Sequence, residues 1–284
     1  MERKTLPNKI IASRNLFDFL QMGDTVYGAD HIFSKQLDLS ATQNMISQIL
    51  SDNREGFALS AEARKRLRTK LRRKHLTPSE RDIYTHALKL KGPVEKLTTM
   101  YYDHENGAIQ YTPLLYGSFG EVMDTTKNVV LKGNIPMMEI HNHLLDYLPS
   151  PSDYFYLLCQ PEGYPARILN SSMVLCPSIS ILSLATAKTP TFSPEQTREL
   201  ITTHENQIRA LIYAQEDSDL ITLQAYLALI DSSYRNKRGI LSLFPEWYVD
   251  TIRKVNHALV SFAGEMNILM YSSGDRKNFS LASG

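Results

Sequence analysis

Helical periodicity gives way to short β-type segments at Gly92-Pro93, and this change limits the fold more than any other feature of the sequence. Before it, apolar residues recur at helical spacing behind Ser or Thr N-cap residues, which predicts helices over 37–50, 60–75 and from Thr77 onward. After it, two β-rich segments, Leu97–Asp103 and Ala108–Tyr116, flank Asn106-Gly107, the strongest short signal for a hairpin. The sequence therefore predicts an α+β protein.

The rest of the chain continues this division. Further strands are predicted over 128–132, 136–141, 154–159 (with a helix as the alternative) and 167–176, and no helix is predicted between Tyr116 and Met137. Beyond Thr189-Pro190, three helices are predicted at about 194–216, 218–235 and 245–270. We expect an N-terminal helical region (1–90), a sheet-containing domain (91–190), a C-terminal helical region (191–271) and a flexible polar tail (272–284).

Composition indicates an ordinary globular protein. The 284 residues are 43% hydrophobic and 21% charged, and a net charge of +1 argues against a general attraction to nucleic acid or membranes. No apolar run approaches the roughly 20 residues of a membrane helix, and the first residues do not resemble a secretory signal. Cys159 and Cys176 lie in apolar runs and are expected to be buried, reduced thiols. We expect a cytoplasmic location, with a secreted effector role as the alternative.

Two histidines separated by one residue, His141 and His143, lie in a predicted strand. Side-chain direction alternates along a strand, so both imidazoles are expected on one face, where they can reach the same ion. Asp153 follows beyond the loop Pro149-Ser150-Pro151-Ser152, which is long enough to fold back and offer a carboxylate. Three protein ligands with an open fourth position are typical of catalytic zinc.

Amide hydrolysis at such a site needs two further groups. Bound zinc lowers the pKa of its water toward about 7, which makes hydroxide available at neutral pH. A carboxylate that does not bind the metal has to take the proton of that water and pass it to the leaving amine. The tetrahedral oxyanion also needs a hydrogen-bond donor, which a serine hydroxyl in the loop before Asp153 is placed to supply.

The order Glu, His-x-His, Ser-x-x-Asp resembles the JAMM motif of the JAB/MPN metalloproteases, and His-Asn-His is similar to the bacterial RadC-like branch. His141, His143 and Asp153 match the metal ligands of that motif, and Ser150 matches its serine. Glu95 enters the first strand of the hairpin and matches the glutamate of the family by position. The resemblance covers about residues 90–185.

This resemblance implies a JAB/MPN-like central sheet with helices and one zinc ion per chain. It implies Glu95 as the general acid/base and Ser150 as the oxyanion helper of a deubiquitinase-like metalloprotease (an isopeptidase). The implied partner is a protein substrate, either ubiquitin or a ubiquitin-like conjugate, or a peptide amide as in bacterial members. The chain departs from the motif at Leu144, where the family usually has proline, and its spacing from His143 to Ser150 is one residue shorter.

Two other glutamates are alternatives to Glu95 as the base. Glu139 precedes His141 by two residues and is expected on the same face, as a fourth ligand or as an outer partner of that histidine. Glu121 follows Gly117-Ser118-Phe119-Gly120 and is expected in a loop over the site. The non-enzymatic alternative for the whole chain is a catalytically inactive JAB/MPN scaffold that binds a protein partner.

Eight of the eleven residues from Arg64 to Lys74 are basic. This run predicts either a solvated basic helix or contact with an anionic partner, which includes nucleic acid in a RadC-like, DNA-associated role. Leu67 and Leu71 are four residues apart, so one stripe of this helix can pack while the charges stay in water. No aromatic residue is interleaved with the charges, which argues against single-strand binding through base stacking.

Overall fold

The computed structural model describes residues 14–15, 39–52, 55–57, 59–103, 105–118, 122, 126, 129, 134–144, 148–162, 167–177, 179–213, 246–276 and 278–281. The helices are α1 (Leu39–Ser51), α2 (Ala61–Leu71), α3 (Pro78–Lys89), α4 (Phe155–Leu158), α5 (Pro194–Tyr213) and α6 (Glu246–Glu265), and a 3₁₀ helix covers Pro151–Tyr154. The strands are β1 (Arg14–Asn15), β2 (Glu55–Phe57), β3 (Lys91–Pro93), β4 (Lys96–Asp103), β5 (Ala108–Tyr111), β6 (Leu115–Tyr116), β7 (Ile135–Asn142), β8 (Ser171–Leu175), β9 (Ser180–Ala185), β10 (Ile268–Ser273) and β11 (Asn278–Leu281).

Nine of the described strands form one sheet, in the order β1-β11-β10-β9-β8-β7-β4-β5, with β6 also paired to β4. The pair β7–β8 is parallel and the other pairs are antiparallel. A parallel pair needs a crossover connection instead of a tight turn. That crossover contains the 3₁₀ helix and α4, so the loop with Asp153 begins at the carboxyl end of β7. The predicted α+β class is confirmed.

Strand β7 separates two hydrophobic clusters. Met138 and Ile140 point to one face and join a core to which α1 contributes Ile46 and Ile49. The residues that alternate with them, Glu139 and His141, therefore point to the opposite face. On that face the crossover and α6 build the second cluster, which includes Tyr154, Leu157, Leu158, Ile181, Phe262 and Ile268.

The short-range sequence signals are realised in the structure. The hydroxyl of Ser60 accepts the backbone N–H of Ala63 at 3.1 Å and caps α2. Thr77 and Glu80 form a reciprocal capping box on α3, with Thr77 N–H donating to Glu80 Oε2 at 2.7 Å. Gly107 has a φ of 62°, which glycine adopts without steric cost in the Asn-Gly turn.

Several predicted elements differ from the structure. The segment 154–159 is helical, as in the alternative to a strand. The helix predicted over 245–270 ends at Glu265, and β10 and β11 then extend the sheet into the segment that was expected to be loose. Backbone pairing with β9, such as Ile268 with Ala185, stabilises β10. The residues near Ile268 in the sequence do not predict a partner so far away. Val129, within the predicted strand 128–132, is helical instead, as is Thr126, although no helix was expected here. The other residues of that predicted strand and the predicted helix 218–235 lie outside the described residues.

None of the helices in the described part of the chain is both long and apolar enough to span a bilayer.

Candidate metal centre

His141 and His143 lie at the carboxyl end of β7. His141 is in the strand, and the backbone N–H of His143 donates to the carbonyl of Leu175 at 3.0 Å, which continues the parallel pairing with β8. The alternation of the strand therefore extends through His143 and places both rings on one face. Their centroids are 5.0 Å apart, as the sequence predicted for a His-x-His pair in a strand.

Asp153 is held by the 3₁₀ helix that follows the Pro-Ser-Pro-Ser loop. Its Oδ2 accepts the backbone N–H of Ser150 at 2.6 Å and the hydroxyl of Ser150 at 2.9 Å. The next residue, Tyr154, is fully buried in the second cluster and donates its hydroxyl to the sulfur of Met270 at 3.1 Å. This anchor holds the crossover against the sheet, so the Asp153 carboxylate faces the histidines.

The three predicted ligands converge on one point. Nε2 of His141 is 3.2 Å from Nε2 of His143 and 3.3 Å from Oδ1 of Asp153, and Nε2 of His143 is 3.6 Å from Oδ2 of Asp153. Ligands at zinc–nitrogen distances of about 2.0–2.1 Å in tetrahedral geometry lie about 3.3 Å from one another. The spacing of these atoms therefore fits a zinc ion, and among the described residues they form the candidate metal-binding group of the chain.

The histidines and Asp153 stabilise each other's charged forms. Burial alone lowers the pKa of His143, but hydrogen bonds to Asp153 and Cys176, with the nearby charges of Asp153 and Glu95, raise it well above its ordinary value. Burial alone raises the pKa of Asp153, but the attraction of His141 and hydrogen bonds to both histidines hold it well below its ordinary value. The carboxylate is therefore ionised at neutral pH, as a metal ligand must be.

Glu95 lies beside this group. Its backbone is fixed by two hydrogen bonds, from its N–H to the carbonyl of Ser118 (3.0 Å) and from Gly117 N–H to its own carbonyl (2.8 Å). Glu95 is 7% exposed, and the charge of its side chain contributes to the raised pKa of His143. The structure thus brings Glu95 close to the predicted ligands without making it one of them.

The two alternative glutamates have different positions. Glu139 Oε1 is 3.6 Å from Nδ1 of His141, on the opposite side of that ring from Asp153. Glu121 lies outside the described residues. Ser150 is close to the centre through Asp153, and its hydroxyl also lies 2.8 Å from that of Ser152.

Cys176 is a residue of the site that the sequence did not reveal. It is buried as predicted, and it directly follows β8, where its thiol forms a hydrogen bond with His143. Only the register of β7 against β8 brings the two residues together, with Asn142 opposite Leu175. A cysteine after an apolar strand carries no local signal for this contact.

Comparisons with known proteins do not add to this description. No protein-family model matches the chain, and no curated protein and no solved structure matches it significantly. The fold and the geometry define an α+β protein with a candidate metal centre of two histidines and one aspartate.

Proposed function

We propose that the chain is a JAMM-type zinc metalloprotease with a JAB/MPN-like domain, which hydrolyses an amide or isopeptide bond and removes ubiquitin or a ubiquitin-like protein. The observation that carries the proposal is the convergence of His141, His143 and Asp153 on one point, with the carboxylate of Glu95 beside them. Two imidazoles and one carboxylate leave a fourth position open on a tetrahedral ion, as catalytic zinc requires.

Each residue has a separate task in this proposal. His141, His143 and Asp153 would hold the zinc ion, which would make hydroxide available at neutral pH. Glu95 accepts a proton on its carboxylate and donates it to the leaving amine. The hydroxyl of Ser150 donates to Asp153 in this structure, so it has to turn toward the substrate oxygen to act as the oxyanion donor.

The test is cleavage of a panel of di-ubiquitin linkages and ubiquitin-like conjugates by the native protein and by Glu95→Gln. Glutamine keeps the size of the side chain but cannot take up the proton, so kcat/KM is expected to fall by about 10²- to 10⁴-fold. Bound zinc, measured by elemental analysis, is expected to stay at one ion per chain, because Glu95 is not one of the convergent ligands.

Glu105→Gln is the matched control, because Glu105 is exposed in the turn at the other end of the same hairpin. We expect this variant to cleave as the native protein does. Unchanged cleavage by Glu95→Gln would remove Glu95 as the base. If the zinc-loaded native protein cleaves none of the conjugates in the panel, the proposed substrate class is contradicted.

The inactive scaffold is separated from the enzyme by its metal content. The enzyme proposal requires stoichiometric zinc that is lost in the double variant His141→Ala/His143→Ala. The control is His75→Ala, which removes an exposed histidine outside the triad and should leave the zinc in place. A native protein with no affinity for zinc would favour the scaffold.

The basic run favours a second candidate function, the DNA-associated role. Lys65, Arg66 and Arg68 are exposed on α2, and the guanidinium of Arg64 lies over the ring of Phe57, 3.8 Å from its centroid. Phe57 is 45% exposed, so the structure places an aromatic surface beside the cations although none is interleaved in the sequence. Stacking of a base on such a ring contributes about 1–3 kcal/mol.

Binding of single-stranded DNA at several salt concentrations tests this second candidate. Phe57→Ala is expected to weaken binding at every salt concentration, and the triple variant Lys65→Gln/Arg66→Gln/Arg68→Gln is expected to reduce the salt dependence. The control is the double variant Arg198→Gln/Arg209→Gln, which removes two exposed cations of α5. Absence of binding at low salt, or equal losses in the control, would contradict the DNA-associated role.

A further inference from the structure

Glu139 lies behind His141, on the side of the ring that faces away from the predicted metal position. Its Oε1 is 3.6 Å from Nδ1 of His141, whereas Nε2 of the same ring faces Asp153 at 3.3 Å. The two ring nitrogens point in different directions, and a histidine that binds an ion through one of them keeps the other as an N–H donor. In this arrangement Glu139 is therefore not a fourth ligand, and its carboxylate faces the donor of a ligand instead.

Both groups are withdrawn from water. Glu139 is 8% exposed and His141 is 2% exposed. Nδ1 of His141 is buried and has no hydrogen-bond partner within the described part of the chain. An unpaired buried donor is unfavourable, because it has lost its water without gaining an acceptor. Shortening the separation from Glu139 by about 0.7 Å would give an ordinary N–H···O bond and remove that cost.

The second oxygen of the same carboxylate is held from the other side. The hydroxyl of Thr126 donates to Oε2 of Glu139 at 3.4 Å, and it lies 3.2 Å from the hydroxyl of Thr99. Thr99 is also the residue that pairs with Glu139 between β4 and β7. These contacts orient the carboxylate within the sheet, so that Oε1 is directed at His141.

We propose that Glu139 is a positioning residue for the metal, which holds the proton of His141 on Nδ1 and so keeps the lone pair of Nε2 directed at the ion. The inference rests on the zinc site of the proposed function but not on its substrate. In metalloproteins such outer partners fix the orientation and tautomer of the ligand, and their loss typically weakens metal binding by about 10- to 100-fold. His143 has a thiol partner instead, and Cys176 is a weaker acceptor than a carboxylate.

Zinc affinity in variants of Glu139, measured by competition with a chelator on the full chain, tests the proposal. Glu139→Leu removes the acceptor, and the dissociation constant for zinc is expected to rise by about 10- to 100-fold. Glu139→Gln keeps a carbonyl oxygen that can accept from Nδ1, so it is expected to restore most of the affinity. Ser172→Ala is the control, since Ser172 is the buried partner of Glu139 on β8, and its affinity should match that of the native protein.

A second measurement distinguishes positioning from a general effect on the fold. Nitrogen-15 NMR of the zinc-loaded protein, in which the ion occupies Nε2 of His141, reports the proton on Nδ1 and the rate at which it exchanges with water. We expect this proton to exchange slowly in the native protein and in Glu139→Gln, where the side chain at position 139 accepts it, and to exchange faster in Glu139→Leu. If Glu139→Leu does not fold, Glu139→Asp replaces it, because it withdraws the carboxylate by about 1.5 Å.

Unchanged zinc affinity and unchanged exchange of the His141 Nδ1 proton in the folded Leu or Asp variant would overturn the proposal. Equal losses in Glu139→Leu and Glu139→Gln would also overturn it, because glutamine still offers an acceptor. Neither result depends on cleavage of ubiquitin conjugates. A chain that binds zinc through this arrangement but cleaves no conjugate would retain the inference and lose the proposed function.

Discussion

Leu97 of β4 pairs with His141 of β7 in the antiparallel register of the sheet. If the same register is continued beyond the ends of the two strands, Glu95, two residues before Leu97, falls opposite His143, two residues after His141. Between them, the backbone N–H of Lys96 donates to the side chain of Asn142 at 2.7 Å. A slip of one residue would turn the side chain of Glu95 to the opposite face of the sheet. The relation between the proposed base and the proposed metal ligands therefore depends on one strand register.

Ser150→Ala is expected to weaken zinc binding. The change removes the 2.9 Å hydrogen bond from the hydroxyl to Asp153 but keeps the backbone N–H bond of 2.6 Å. The carboxylate is then less firmly oriented, and the dissociation constant for zinc should rise by about 10-fold. Competition with a chelator measures this change. Ser152→Ala is the control, and an equal loss there would show that the loop as a whole, and not the bond to Asp153, sets the affinity.

Zinc binding is expected to release a proton from His143. Burial lowers the pKa of His143, but its hydrogen bonds to Asp153 and Cys176 and the carboxylates around it raise that pKa well above the ordinary value. Without metal, the protonated ring stabilises the folded state below about pH 6.5, and this contribution is lost as the pH rises through the raised pKa. Zinc needs the neutral ring, so its affinity should increase from about pH 6 to 8.

Titration calorimetry in buffers with different ionisation enthalpies measures the number of protons released. The double variant His141→Ala/His143→Ala, which lacks the site, provides the baseline for adventitious binding. Zinc binding at neutral pH with no proton release would contradict the raised pKa of His143.

Lys96→Met is expected to lower the free energy of unfolding by about 2 kcal/mol. The ammonium group of Lys96 is buried and donates to the carbonyls of Ile49 and Asp52 at the carboxyl end of α1. Methionine fills similar space but cannot satisfy those carbonyls. Urea unfolding of the variant measures the loss, and Lys188→Met, at an exposed lysine, should stay within about 0.5 kcal/mol of the native protein.

Thr77→Ala is expected to destabilise the protein by about 1 kcal/mol, because it removes the N-cap of α3. The hydroxyl of Thr77 accepts the backbone N–H of Glu80 at 3.2 Å, and this bond cannot form with alanine. Thr69→Ala is the matched control. The hydroxyl of Thr69 donates to the carbonyl of Lys65 inside α2, and alanine is the better helix former there, so no loss is expected. Thermal unfolding of both variants measures the difference.

The sequence was sufficient to predict the features that depend only on residues close together along the chain. The caps at Ser60 and Thr77 and the Asn-Gly turn are local, because a side chain satisfies a backbone group a few residues away. The pairing of His141 with His143 is also local, because strand alternation alone puts both rings on one face. Asp153 could be proposed because its loop is short, although spacing alone does not make it converge on the histidines.

The positions of groups that come to the site from distant parts of the chain depend on the tertiary structure. Glu95 could be proposed from its position in a motif, but the register of β4 on β7 brings it to His143. The thiol of Cys176 reaches His143 because β7 and β8 pair in parallel. The sequence around Cys176 does not predict that pairing.

The end of the chain shows the same division between local and distant effects. Residues 272–284 are polar and suggest a loose tail, yet β11 pairs with β10 because the unpaired backbone groups at the edge of the sheet accept another strand. Helices and turns depend on residues that are close together in the sequence, so the sequence predicts them. Strand partners, and with them the groups that surround the two histidines, are set only when the whole sheet forms.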